Sequence, residues 1–353
     1  MTDFEIPKKG KAGVVVNEGP NFHVEIQDVD IPEPKPDEVL LKLNKTGLCM
    51  SDIHFMANDW AVPPMSYFNT RCAGHEGAGV VVKVGSAVTD WKCWNGRENY
   101  CQQGVYTGLA ANGTYQQYIT SPARYTSRIP EGVSDEVAGP IMCSASTMHR
   151  ALVDSGLRAG NWVVFPGGGG GVGIQGVQLA KYVPLRLDFS VYSHGHAPHR
   201  RGLGRVEARA RAQNGRGSLR RLQGTPDVAS AVKEAADGVG AHGVLVTAYQ
   251  SYPSSFAYLG DRIGGKIMCI ALPPAGAVTL GADPNLFVFK NVSVIGTLVG
   301  TMQDTSAALE YARRGLLKSV CEVRPLSRLP ESVQELRRGE VAGRVVIDFN
   351  WVE

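Results

Sequence analysis

Short β-branched runs, punctuated by glycine and proline, occupy the first part of the chain. Val14-Val15-Val16, Val39-Leu40-Leu41-Lys42-Leu43 and Gly79-Val80-Val81-Val82-Lys83-Val84 have the length and composition of strands. Ile31-Pro32-Glu33-Pro34-Lys35-Pro36 excludes helix, because proline lacks the amide donor and pushes its predecessor into extended backbone. It predicts an extended connector. The pattern changes at Trp162. Asn161 to Phe165 predicts a buried strand, Pro166 and Gly167 to Gly171 a turn, and Val172 to Tyr182 a helix. Asp227 to Ala236 predicts another helix, with Thr225 as a cap and Pro226 at its start. Strands follow at Gly243 to Val246, Lys266 to Ile270 and Val292 to Gly296, a helix at Gln303 to Leu317 and a last strand at Gly343 to Phe349. Strands alternating with helices imply a parallel, doubly wound sheet, so the chain reads as α/β with a β-rich first part.

A length of 353 residues implies about two domains. With 43% hydrophobic and 20% charged residues, the chain has the composition of an ordinary globular protein. No apolar run approaches the roughly 18 residues of a membrane span. Met1-Thr2-Asp3-Phe4-Glu5 lacks the basic-then-apolar pattern of a secretory signal. Seven cysteines in so long a chain suit a reducing compartment better than a disulfide scaffold, and the cytoplasm is the expected location. The net charge of +3 hides an asymmetry. Residues 182–224 carry nine arginines against Asp188 and Glu207, a net +7, which leaves −4 elsewhere. A basic patch confined to one segment, without interleaved aromatics, is a poor basis for nucleic-acid binding, and neither a nucleic acid nor a membrane is an expected partner.

The chemistry gathers on two short motifs. Gly47-Leu48-Cys49-Met50-Ser51-Asp52-Ile53-His54 and Gly74-His75-Glu76-Gly77-Ala78-Gly79 supply the sulfur, nitrogen and carboxylate ligands that zinc prefers. Cys49 and His75 are two candidate ligands, and Cys143 in Ile141-Met142-Cys143-Ser144-Ala145-Ser146 is the third. Three protein ligands leave one position open for catalysis. An isolated cysteine is more often buried core than ligand, so the ordered combination carries the assignment; His149, Cys72 and Cys269 lack such support and read as structural. Gly167-Gly168-Gly169-Gly170-Gly171-Val172-Gly173 joins a predicted strand to a predicted helix. Such glycines permit a tight turn and close approach of a pyrophosphate to the helix N-terminus, where free N–H groups meet the anion. A lone glycine run is also a linker; its place between strand and helix makes it a dinucleotide site.

On C-x-S-D-x-H, G-H-E-G-x-G and the glycine run, in this order and spacing, the chain resembles the zinc-dependent alcohol dehydrogenases of the medium-chain family, closest to the fungal, yeast-like branch. The resemblance runs from near Gly10 to near Phe349. It implies a GroES-like β-rich catalytic domain, residues 1–150 and 318–353, and a Rossmann dinucleotide-binding domain, residues 151–317, with 182–224 atypical. It implies one catalytic zinc, NAD as cofactor, and hydride transfer between a small primary or secondary alcohol and NAD, reversible as aldehyde or ketone reduction. Ser51 and His54 would form the family's proton relay through the cofactor ribose. Glu76 would orient His75 or act as a transient ligand, and Asp52 would back a ligand histidine. Thr247 and Leu298 would face the nicotinamide side, Arg344 would contact the cofactor, and Met142, Trp60 and residues 298–299 would line an apolar substrate pocket. A homo-oligomer, tetramer or dimer, is implied on the same basis. The family's second, structural zinc needs four cysteines; only Cys93 and Cys101 stand here, and two thiolates do not close a tetrahedral site. A structural zinc is therefore not expected.

One checkpoint is missing. A second strand should end in an acid that grips the adenosine ribose, and none stands near Val191; Asp188 is the nearest substitute. Three readings are open for 182–224. Its arginines replace the acid and shift preference to NADP; or His194, His196 and His199 bind a metal; or the segment is translated out of frame, which its abrupt change of composition favours. The rivals to a working enzyme are a zinc-free reductase, a non-catalytic or impaired family remnant, and an arginine-rich nucleic-acid binder.

Overall fold

The computed structural model describes residues 5–88, 98–101, 104–180, 227–318 and 320–351. Strands β1 (Lys9–Val16) and β2 (His23–Asp30) form an antiparallel ribbon. A second sheet has the order β10-β11-β3-β4, with β5 also on β3: β3 is Glu38–Gly47, β4 Glu76–Val84, β5 Tyr118–Pro122, β10 Cys321–Pro325 and β11 Arg344–Asp348. A third sheet, all parallel, has the order β6-β7-β8-β9 over Val163–Val164, Gly243–Val246, Lys266–Cys269 and Ser293–Gly296. The α-helices are α1 (Met50–Ala57), α2 (Asp135–Pro140), α3 (Ser146–Ser155), α4 (Gly171–Leu179), α5 (Val228–Ala235), α6 (Ser255–Leu259), α7 (Pro284–Lys290), α8 (Met302–Arg313) and α9 (Leu329–Arg337). Among the described residues no helix is long and apolar enough to cross a membrane.

Each predicted run appears as a strand, while β2, β5 and β10 form where no run was singled out, and differences at the strand ends have local causes. The run Asn161 to Phe165 pairs as strand only at Val163–Val164. Trp162 N–H is diverted to Nδ1 of His242 at 3.0 Å, and the Phe165 carbonyl accepts from Gly168 N–H in the glycine turn at 2.9 Å. Helix α8 begins one residue before its predicted start, because Thr301 and Asp304 form a reciprocal capping box. It stops at Arg313, short of Leu317, and Gly315 follows with φ of +70°. The cap of α5 is Asp227, whose side chain accepts from Ser230 N–H; Thr225 lies outside the described residues. So do Cys93, Asp188 and the histidines 194, 196 and 199.

Two cores position the site. Met148, Leu152, Phe165, Leu179, Leu245 and Met268 pack α3 and α4 onto the parallel sheet. Leu43, Leu48, Ile53, Met56, Tyr115 and Ile347 join β3, α1 and β11. Each side chain of this size, fully buried, contributes about 1.5–3 kcal/mol, which holds the loop between β3 and α1 firmly at both ends. That loop holds Cys49. Helix α3 is tied to the start of α8 by His149, whose Nδ1 lies 2.7 Å from Asp304 Oδ1.

Candidate functional site

Strand β3 ends at Gly47, and Cys49 is the N-cap of α1. His75 and Glu76 enter β4 beside it, in the register Gly47 to Glu76. Cys143 sits in a π-helical turn, Ile141–Ala145, between α2 and α3. Three segments distant in sequence thus converge. One ligand atom from each of Cys49, His75, Glu76 and Cys143 lies within 4.8 Å of every other. The two sulfurs are 3.7 Å apart. That is too far for a disulfide and close to the roughly 3.8 Å that two sulfurs span when each lies about 2.3 Å from one tetrahedral zinc.

Asp52 organises this cluster. Its fully buried carboxylate receives Nδ1 of His75 at 2.7 Å and Gly74 N–H at 3.1 Å on Oδ1. Oδ2 receives the Tyr115 hydroxyl at 3.0 Å and Cys49 N–H at 3.2 Å. With Nδ1 of His75 donating to Asp52, the lone pair of Nε2 is left for a metal. The spacing of the sulfurs, the free imidazole nitrogen and this backing carboxylate together fit zinc. Tyr115 carries no signal in the sequence that would have placed it here; only the fold brings it under Asp52.

The ionisable groups compete in this dry space. Cys143 donates to Cys49, and His75 and Arg344 add positive charge, so the Cys49 thiol is held well below its usual range against the opposing effect of burial. Cys143 is pushed up by that same hydrogen bond and by burial. Burial works against charge on His75, yet Asp52 holds its imidazole well above the usual range. Burial pushes the Glu76 carboxyl up to about 8, opposed by Arg344. A divalent cation resolves the conflict by favouring both thiolates and a neutral imidazole.

Arg344 links the cluster to the glycine turn. Strand β11 pairs antiparallel with β3, and this carries the buried Arg344 beside Leu48, whose carbonyl accepts from Nη1 at 2.9 Å. Nη1 also lies 2.8 Å from Glu76 Oε1, the distance of an ion pair, without hydrogen-bond alignment. Nε and Nη2 have no hydrogen-bond partner among the described residues. They face Gly171, the first residue of α4, where a Cβ would stand 2.7 Å from Nε. Gly167 has φ of +84°, and Thr247 Oγ1 donates to the Pro166 carbonyl at 2.7 Å beside it. A Cβ on Gly173 would meet the Gly167 carbonyl oxygen at 2.4 Å, so the helix sits directly on the turn. Gly168 N–H closes the turn, and the Gly169 carbonyl and Gly170 contact Gly343 ahead of β11. Val172 packs into the helix-to-sheet core. A helix N-terminus at the carboxyl end of a parallel sheet, facing unpaired guanidinium nitrogens, fits a dinucleotide pyrophosphate.

Ser51 Oγ lies 3.7 Å from the Cys49 sulfur. His54, on the same helix three residues on, is buried and bonds Asp59 through Nδ1 at 2.7 Å. Trp60 stacks on its ring at 4.9 Å. Leu298 lies in the loop after β9, with its N–H and carbonyl both held by the segment Glu98–Tyr100. Asp59, Glu98 and Asn99 escaped the sequence reading, for they belong to no motif.

A candidate metal-ligand cluster joined through Arg344 to the glycine turn of a nucleotide-type sheet is the arrangement of a metal-assisted dehydrogenase. The model of the alcohol dehydrogenase GroES-like domain matches residues 35–131. An alcohol dehydrogenase of Schizosaccharomyces pombe is 34% identical, over 98% of this chain and 99% of its own. Among solved structures, acetophenone reductase from Geotrichum candidum in complex with NAD superposes with a TM-score of 0.79 at 22% identity, over 99% of this chain and 100% of its own. The cobalt- and zinc-bound thermostable alcohol dehydrogenase of Pyrobaculum aerophilum gives 0.75 at 21%, over 96% and 99%. The chain belongs to the alcohol dehydrogenase family with a GroES-like domain, and the remnant reading is not favoured.

Proposed function

We propose that this chain oxidises a small primary or secondary alcohol with NAD, and reduces the aldehyde or ketone in reverse, on a zinc held by Cys49, His75 and Cys143. The observation that carries this reading is the cluster itself: two sulfurs 3.7 Å apart and an imidazole whose tautomer Asp52 sets. Zinc bound there would supply Lewis-acid polarisation of the substrate oxygen. Glu76, held by Arg344, stands in reserve as a fourth ligand. Residues Gly167 to Gly173 and Arg344 would receive the pyrophosphate, with Thr247 and Leu298 on the nicotinamide side.

Proton movement is assigned to this chain's own residues. Ser51 Oγ, beside Cys49, accepts the substrate proton. His54, next on that face of α1, receives it toward Nε2 and releases it from Nδ1 to Asp59. The His54 side chain is only 7% exposed and that of Asp59 is 37% exposed, so Asp59 is the outlet to water.

The chain divides into a catalytic part, 1–150 and 318–353, and a cofactor part, 151–317, and works as a homo-oligomer. Among the described residues strand β9 is an edge of the parallel sheet, and Ile263, Val288, Phe289 and Val294 are exposed large apolar side chains around it. An open apolar edge favours pairing with a second copy. Cys49, Cys72, Cys101, Cys143 and Cys269 are free thiols, which suits the cytoplasm.

The test is NADH formation from ethanol and longer alcohols by zinc-supplied protein, with and without a chelator. Chelator-sensitive turnover is expected. A soluble, folded, zinc-bound chain that gives none would sink the proposal.

A further inference from the structure

The segment Glu98–Tyr100 forms one 3-10 turn and sends all three side chains to the loop that leaves β9. Asn99 Nδ2 donates to the Leu298 carbonyl at 2.6 Å. The Tyr100 hydroxyl accepts from Leu298 N–H at 3.4 Å. Glu98 Oε1 accepts from Met302 N–H at 2.7 Å. Val299 lies between these fixed points with φ of +43°. Left-handed backbone is a genuine outlier for a β-branched residue, and such strain persists only where the surroundings over-determine it. The hydrogen bonds on either side of Val299 are what hold it.

The loop lies where a ligand would reach it. It follows β9 at the carboxyl edge of the parallel sheet, the edge at which open α/β sheets take their ligands. On its other side Gly300 packs onto α3, where an added Cβ would stand 2.5 Å from the Ser146 carbonyl oxygen, three residues beyond Cys143. It therefore spans the gap between the sheet edge and the metal-ligand cluster. Thr297 Oγ1, Asn99 Oδ1 and Glu98 Oε2 are buried there without a hydrogen-bond partner among the described residues. A carboxamide, with its donor and acceptor, is the kind of group that such unpaired atoms and a fixed loop backbone would satisfy.

We propose that Glu98, Asn99 and Tyr100 are positioning residues that clamp residues 297–302 in the shape that receives the nicotinamide end of the cofactor. This rests on the reading of the chain as NAD-dependent. The clamp acts through the hydrogen bonds of Glu98, Asn99 and Tyr100.

Two measurements on the zinc-supplied full chain test it. Hydrogen exchange at the Leu298 and Met302 amides is followed without cofactor. Binding of NADH and of ADP-ribose, which lacks nicotinamide, is measured by calorimetry. The variants are Asn99→Ala, Glu98→Ala and Glu98→Gln, the last keeping an acceptor oxygen. Loop exchange should quicken in the two alanine variants. Their NADH Kd should rise about tenfold, the equivalent of one lost buried hydrogen bond, with ADP-ribose within about twofold of wild type. Glu98→Gln should track wild type in both. Unchanged loop exchange, equal weakening of both ligands, or a Glu98→Gln as impaired as Glu98→Ala overturns the clamp. Wild-type protein that binds neither ligand overturns the NAD reading itself and the role given to the loop, a result no variant comparison can mimic.

Discussion

The carboxylate of Asp52 lies 2.7 Å from Nδ1 of His75, and neither residue is replaceable without disturbing the other. Asp52 is fully buried and accepts from four donors on three different segments. Asp52→Asn keeps the shape but turns an amide donor toward two of those donors. Zinc affinity should fall 10- to 100-fold, the usual cost of losing such a partner behind a ligand histidine. Chelator competition measures it, and an unchanged affinity would mean that His75 is oriented by other groups.

If Asp59 is the outlet of the proton path, Asp59→Ala and His54→Ala should each lower kcat for alcohol oxidation while zinc content stays at wild type. A positioned acid–base group contributes about 10²- to 10⁴-fold, so a loss of at least tenfold is expected for His54→Ala and a smaller one for Asp59→Ala. Added imidazole should restore part of the His54→Ala rate. Wild-type rates in both variants would move the proton path elsewhere.

His242 gives the parallel sheet a pH-dependent joint. Its Nδ1 accepts from Trp162 N–H at 3.0 Å, so it must be unprotonated there. Burial, helped by the positive charge of Arg262, holds its imidazole below the usual histidine range. A histidine with a depressed folded pKa contributes stability that is full above the unfolded value and lost as pH falls toward the folded one. The melting temperature should therefore drop between about pH 7.5 and pH 5.5, and His242→Gln should flatten that part of the drop. An equal slope in the variant would remove His242 from the account.

Cys72 and Cys101 should differ in reactivity. Burial pushes the Cys72 thiol up to about 12, against the pull of Arg71, whereas Cys101 is exposed. The thiolate is the reactive form. Native protein treated with iodoacetamide at pH 8 should be alkylated at Cys101 and spared at Cys72 until denaturant is added. Peptide mapping reads the result; early modification of Cys72 would show that β1 and its neighbours open locally.

Many of the strands and the candidate ligands were legible in the sequence for different reasons. Gly243 to Val246 is a continuous apolar run whose ends coincide with the observed strand, because its burial on both faces leaves no competing pattern. Cys49, His75 and Cys143 were legible through motif order, and the fold brings them together. Tyr115, Asp59 and Glu98 were not, since each acts on a partner at least five residues away through geometry alone. The span of β6 was over-read because apolar residues show what is buried, not which backbone groups find a ladder partner. Arg344 was singled out in the sequence as an expected cofactor contact, but its place as the ion-pair partner of Glu76 was not legible, a relation across 268 residues of chain that only the pairing of β11 with β3 creates.

That pairing also orders events at synthesis. Strand β11 reaches its place on β3 only after the whole parallel sheet has left the ribosome, so β3 waits with the Lys45–Gly47 end of one edge unpaired, beyond the part covered by β5, while the intervening segment folds. An unpaired edge beside apolar surface is a template for wrong association. The nascent chain is therefore most vulnerable between the emergence of β5 and that of β11, and a chaperone's protection matters most in that interval.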